Sequence, residues 1–103
     1  SGRVSEEGTS ESIRHTLAHS AELLCPHSAV GTAVAEAHLG PNPMVTLATA
    51  HPAKFPAAVE AATGIHPALP PRMADLFDRP ERVTRMTGDL KAIEALILER
   101  TGA

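Results

Sequence analysis

Apolar residues recur every three to four positions in several stretches of the chain, and in others they run on or alternate. Ser5 precedes the first periodic stretch, a helix expected over roughly residues 6–19, in which Ile13, Leu17 and Ala21 stand four apart as an inner stripe. Gly8 stands where a capping-box glutamate would reach back, so this start should fray. Leu23, Leu24 and Cys25 form a short apolar extension that Pro26 stops. A second helix begins at about Ser28, carries Ala29, Val30, Ala33, Val34 and Ala37 on one face, and ends at Gly40. Its small residues suit close packing against a sheet.

Pro41-Asn42-Pro43 reads as a turn, and the apolar run over 44–49 as a short buried strand. A third helix is expected over 54–63, with Pro56 in its first turn, Val59 and Ala62 inward, and Gly64 beyond its end. Residues 65–71 form a proline-rich connector, and 72–77 make one or two helical turns stopped by Asp78-Arg79-Pro80. Residues 82–86 alternate in the manner of an edge strand. Asp89 caps a last helix whose Leu90, Ile93, Leu96 and Ile97 form the most regular amphipathic stripe. The pattern predicts an α/β fold, with two to three short strands packed with four to five helices.

A length of 103 residues suits one domain, small for an enzyme that must also enclose a substrate. The hydrophobic fraction of 43% comes without long apolar runs, which predicts a soluble chain with no signal peptide or membrane span and a cytoplasmic location. A net charge of −3 with the signs interspersed leaves no electrostatic footprint for nucleic acid. Phe55 and Phe77 are the only aromatics, too few for a base-stacking platform, and they leave a core of Ala, Val, Leu and Ile with little burial per side chain. The lone Cys25 excludes an internal disulfide and a Cys-rich zinc site.

The chemistry concentrates in Leu47-Ala48-Thr49-Ala50-His51-Pro52-Ala53-Lys54-Phe55. An expected strand runs there into a hydroxyl, an imidazole and an ammonium before a helix begins, an arrangement that holds a cofactor edge or an anion. Lys54 is placed to approach a phosphate and His51 to orient the loop. In Cys25-Pro26-His27-Ser28-Ala29-Val30-Gly31, Pro26 sets φ and Ser28 is expected to cap the helix that follows, which is favoured over a hydrolytic pairing of His27 with Ser28. His15 and His19 lie one turn apart without the glutamate of the zinc-protease signature and read as an exposed pair, so no metal site is expected.

These two segments together resemble the C-terminal part of the threonine synthases, fold-type-II enzymes that use pyridoxal 5'-phosphate (PLP) to convert O-phospho-L-homoserine and water to L-threonine and phosphate. The bacterial and fungal pattern runs Asp-Pro-His-(Ser/Thr)-Ala-Val-Gly, then Leu-Ala-Thr-Ala-His-Pro-Ala-Lys-Phe, then a stretch similar to Leu69-Pro70 and Arg82-Val83-Thr84. The likeness spans about residues 4–100. It implies that Thr49 meets the pyridine nitrogen of the cofactor, where a hydroxyl in place of a carboxylate leaves the ring largely unprotonated. It also puts Cys25 near the ring, where the family usually has Asp; a thiol is smaller and mostly neutral at pH 7, and a small buried residue is the plainer reading.

The resemblance further implies parts this chain lacks: the Schiff-base lysine, the glycine-rich phosphate loop and the domain over the substrate. The chain, residues 1–103 as a single unit, is therefore expected to be the last quarter of such an enzyme, an incomplete cofactor-binding domain. Alone it should be inactive, bind no PLP covalently, and self-associate through helix faces that normally meet the rest of the protein. Alternatives are a stand-alone interaction module, or a paralogue whose activity the Cys25 substitution has changed.

Overall fold

The computed structural model describes residues 1–102, and among these the regular structure is entirely helical. Four α-helices, α1 (Glu6–Ser20), α2 (Pro26–Glu36), α3 (Pro56–Thr63) and α4 (Leu90–Thr101), are joined by loops that hold three 3₁₀ turns, Pro52–Lys54, Pro71–Met73 and Leu76–Asp78. None of these helices is long and apolar enough to cross a membrane.

The local signals that start and stop helices act much as their chemistry dictates. The Ser5 hydroxyl accepts the Gly8 N–H at 3.1 Å, and Asp89 accepts the Ala92 N–H at 3.0 Å, each filling one of the orphan donors of a first turn. Gly64 and Gly102 end α3 and α4 in the left-handed region at φ +73° and +66°. α1 ends the same way on Ala21, at φ +58°, so Ala21 is a left-handed cap and not part of the buried stripe expected of it.

α1 lies between α2 and α3, and the buried centre is Ile13, Ala29 and Ala62, with Leu23 and Leu24 packed against it and Val59 fully enclosed. Two polar contacts cross this centre. The Ser12 hydroxyl, itself buried, donates to the Ala29 carbonyl at 3.0 Å and ties α1 to α2. Arg14, held at 2.7 Å by Glu11, donates to the Ala62 carbonyl at 3.3 Å, so a cation satisfies the carbonyl-rich end of α3.

The expected α/β class is overturned: the described residues contain no strand and no sheet. Residues 44–49 carry no regular structure and run beside α2, with Leu47 76% exposed, and 82–86 leave Val83 and Met86 exposed. A strand exists only through the ladder it shares with a neighbour, and an apolar run records a need for burial without supplying that neighbour. What brings 44–49 against α2 is Gly31, whose missing Cβ would sit 3.0 Å from the Thr46 methyl.

Beyond residue 64 the packing thins. The radius of gyration is 19.0 Å, against about 13 Å for a compact chain of this length. α4 shows most of its stripe to solvent, with Leu90, Ile93 and Ile97 exposed and Leu96 half-buried.

Two isoleucines measure this contrast. Ile13 is 1% exposed, so Ile13→Ala is expected to cost about 2–5 kcal/mol; Ile97, 54% exposed, should lose no more than about 0.5 kcal/mol on the same change. Urea unfolding followed by circular dichroism checks both, and equal losses would place α4 in the core.

Candidate functional site

The site begins at the entrance to α2. Pro26 occupies the first helical position, which makes Cys25 the N-cap in extended conformation. The Cys25 sulfur accepts the Ser28 N–H at 3.4 Å. Ser28 was expected to cap this helix and does not; it lies in the first turn, buried, with its side chain free for another task. Its Oγ is 3.2 Å from the Cys25 Sγ and accepts the Thr49 N–H at 3.3 Å. A hydroxyl carries two lone pairs and a proton, so Ser28 takes the Thr49 amide and still exchanges a hydrogen bond with the Cys25 thiol.

Burial by itself pushes the Cys25 thiol up. The Ser28 hydroxyl, with the backbone N–H groups of Ser28, His27 and Ala50, more than offsets this and holds the thiol below its ordinary value. Cys25, 1% exposed, lies beneath the surface.

Past Thr49 the chain turns into a crevice of about 610 Å³ whose walls include Thr49, His51, Lys54, Leu69, Met73 and Phe77. Thr49, its backbone pinned from below by Ser28, is exposed at this crevice. His51 caps the 3₁₀ turn Pro52–Lys54: its Nδ1 accepts the Ala53 N–H at 3.2 Å, so the ring proton sits on Nε2. Pro52 and Pro56 have no N–H, which leaves this helix entrance with fewer donors for an anion than the loop-to-helix pattern promises. The Lys54 ammonium stands 5.9 Å from the centroid of Phe55, whose other neighbour is the His27 ring at 4.8 Å.

The far wall rests on the turns Pro71–Met73 and Leu76–Asp78. Asp75 and Arg79 brace them with paired contacts of 2.6 and 2.9 Å, and the guanidinium keeps the exposed Asp75 carboxyl below the usual carboxylate range. The structure thus gathers Thr49, His51 and Lys54 on one crevice and leaves Cys25 behind it, linked through Ser28. Sequence reasoning missed Met73 and Phe77 as wall residues; Phe77, one of two aromatics, was the available signal. It also missed the tether from Ser28 to Thr49, two residues 21 apart in the chain.

The His15 and His19 rings face each other at 4.1 Å on α1, with His15 3.7 Å from Glu36. Among the described residues no three His, Cys, Asp or Glu side chains converge as metal ligands.

A family model described as "Threonine synthase, C-terminal" matches residues 28–97. A threonine synthase of Pseudomonas aeruginosa is 48% identical over 97 residues, a match covering 91% of this chain and 21% of the relative. One from Eremothecium gossypii is 35% identical over 115 residues, covering 96% of this chain and 22% of the relative. The crystal structure of a PLP-bound threonine synthase from Brucella melitensis superposes with a TM-score of 0.85 at 44% identity, over 99% of this chain and 22% of that one. The chain therefore spans about a fifth of the length of these relatives.

The depressed Cys25 thiol has a consequence for stability. A folded-state pKa below the unfolded one contributes stability above the unfolded thiol pKa, and that contribution is lost as pH falls through the folded value. The gap in urea midpoint between the wild type and Cys25→Ala is therefore expected to widen as pH rises from about 7 to about 10, across the thiol range. A gap that stays constant would show the thiol to be unperturbed, and one that narrows would show it raised by burial.

Proposed function

The chain belongs to the threonine synthase family, and from that premise we propose that it is the C-terminal segment of an enzyme converting O-phospho-L-homoserine and water to L-threonine and phosphate. One observation carries the reading: the hydroxyl-bearing Thr49 stands exposed on a crevice of about 610 Å³ while its amide is anchored to the buried first turn of α2. A crevice of that size suits the edge of PLP, and an apolar wall of Leu69, Met73 and Phe77 suits the face of its ring. When bound, that cofactor supplies an electron sink for elimination and replacement at the substrate carbon chain.

The residues of this chain act around it. The Thr49 hydroxyl would hold the pyridine nitrogen by a hydrogen bond without delivering a full proton, which would favour elimination over chemistry needing a protonated ring. Lys54, exposed at the mouth, offers an ammonium to a phosphate group, and His51 holds the turn that aims it. Cys25 acts from below, as the hydrogen-bond partner that organises Ser28, in the place where the family pattern has Asp. Neither Lys54 nor Lys91 stands in the covalent-lysine motif, so the segment by itself is inactive. The reaction belongs to the cytoplasm, and the fold type II class of PLP enzymes follows from the same reading.

In the intact protein, Thr49→Ala is expected to lower turnover roughly tenfold, the value of one hydrogen bond, with the melting temperature unchanged. An unchanged turnover would remove Thr49 from the site. The isolated chain, with Leu90, Ile97 and Phe77 exposed, is expected to sediment as oligomers at high concentration and to emerge from gel filtration without retained PLP. A monodisperse monomer, or a stoichiometric visible chromophore lost in Lys54→Ala, would contradict this.

A further inference from the structure

We propose that Ser28 is a positioning residue of this site, setting the height of Thr49 against the cofactor ring; this rests on the function proposed above. The segment that carries Thr49 has no ladder to hold it: residues 44–49 have no regular structure and no strand partner among the described residues, and their apolar side chains are largely exposed. Its position therefore depends on contacts with α2. One is the close approach of Thr46 to Gly31, which sets distance but not register. Another is directional, the Thr49 N–H donating to Ser28 Oγ at 3.3 Å, and next to it the Ala50 N–H approaches the Cys25 sulfur.

Ser28 is a suitable anchor because it cannot move. It is 4% exposed and sits in the first turn of α2; its neighbour Ala29 is tied through its carbonyl to Ser12 of α1. Its hydroxyl is oriented from the other side by the Cys25 sulfur at 3.2 Å. The path runs from the buried helix pair, through one hydroxyl, to the backbone of the residue whose side chain faces the crevice. Removing the hydroxyl leaves the Thr49 amide without that acceptor and the segment free to shift, and a displacement of about 1 Å at a reacting group is enough to reduce rate strongly.

The test uses the intact enzyme and four variants: Ser28→Ala, Ser28→Thr, Ser28→Cys and Thr49→Ala. Ser28→Ala is expected to speed hydrogen exchange of the Thr49 amide about tenfold, to raise the PLP dissociation constant, and to lower kcat about tenfold, with KM for O-phospho-L-homoserine unchanged. Ser28→Thr keeps the hydroxyl, as the family pattern allows, and should restore all of these. Ser28→Cys keeps the volume with a weaker acceptor; it should show the same losses in smaller degree, and it reads the effect if Ser28→Ala does not fold. Wild-type exchange at Thr49 and wild-type PLP affinity in Ser28→Ala, beside an impaired Thr49→Ala, would overturn the positioning role and leave the proposed function standing. Full activity in Thr49→Ala would remove both.

Discussion

The contact between α1 and α2 supports the rest of the molecule. Ser12 and Ala29 are small enough to let the two helices approach until a buried hydroxyl reaches a helix carbonyl at 3.0 Å. A buried hydroxyl without a partner is costly, so this bond fixes how the helices slide past each other as well as how close they come. Ile13 fills the space beside it, and α3 closes over the same residue through Ala62. Arg14 adds a cation to the carbonyl end of α3. Once α2 is held in this way, its first turn is held too.

That first turn is where structure becomes chemistry. Pro26 starts the helix, Cys25 caps it, and Ser28 is left with a hydroxyl that faces the next segment and takes the amide of Thr49. The crevice then follows from short-range turns: His51 closing one 3₁₀ turn, and the Asp75–Arg79 pair bracing two others. Helix packing, capping and site are successive consequences of a single tight interface. The exposed stripe of α4 takes no part in it, in keeping with a chain that spans about a fifth of its relatives, whereas the run over 44–49 joins it through Thr46 against Gly31 and Thr49 on Ser28.

How much of this was legible varies with the range of the interaction. Ser5, Asp89 and Gly64 announce helix ends because their partners are three or four residues away and each acts through its own side chain or backbone freedom. Val59 and Ala62 were readable as inward positions for the same reason. Ser28 was misassigned although a local signal was present, since a proline at the first helical position makes the residue before it the cap. The expected strands failed on a nonlocal requirement: Val45 and Leu47 are apolar, but among the described residues no segment pairs with theirs. Thr49, His51 and Lys54 were named together because they follow one another; Leu69, Met73 and Phe77, which complete the crevice, come from a separate stretch.

The amino-acid sequence by itself determined the helices, the caps at Ser5, Asp89 and Gly64, and the family to which the two motifs point, because side-chain chemistry and spacing act over a few residues. The tertiary structure decided that no sheet forms among the described residues, that Cys25 lies behind the crevice and not in it, and that Ser28 holds Thr49. Each of those depends on which distant backbone groups come within hydrogen-bonding reach, and that is set by how closely α1, α2 and the neighbouring loop pack.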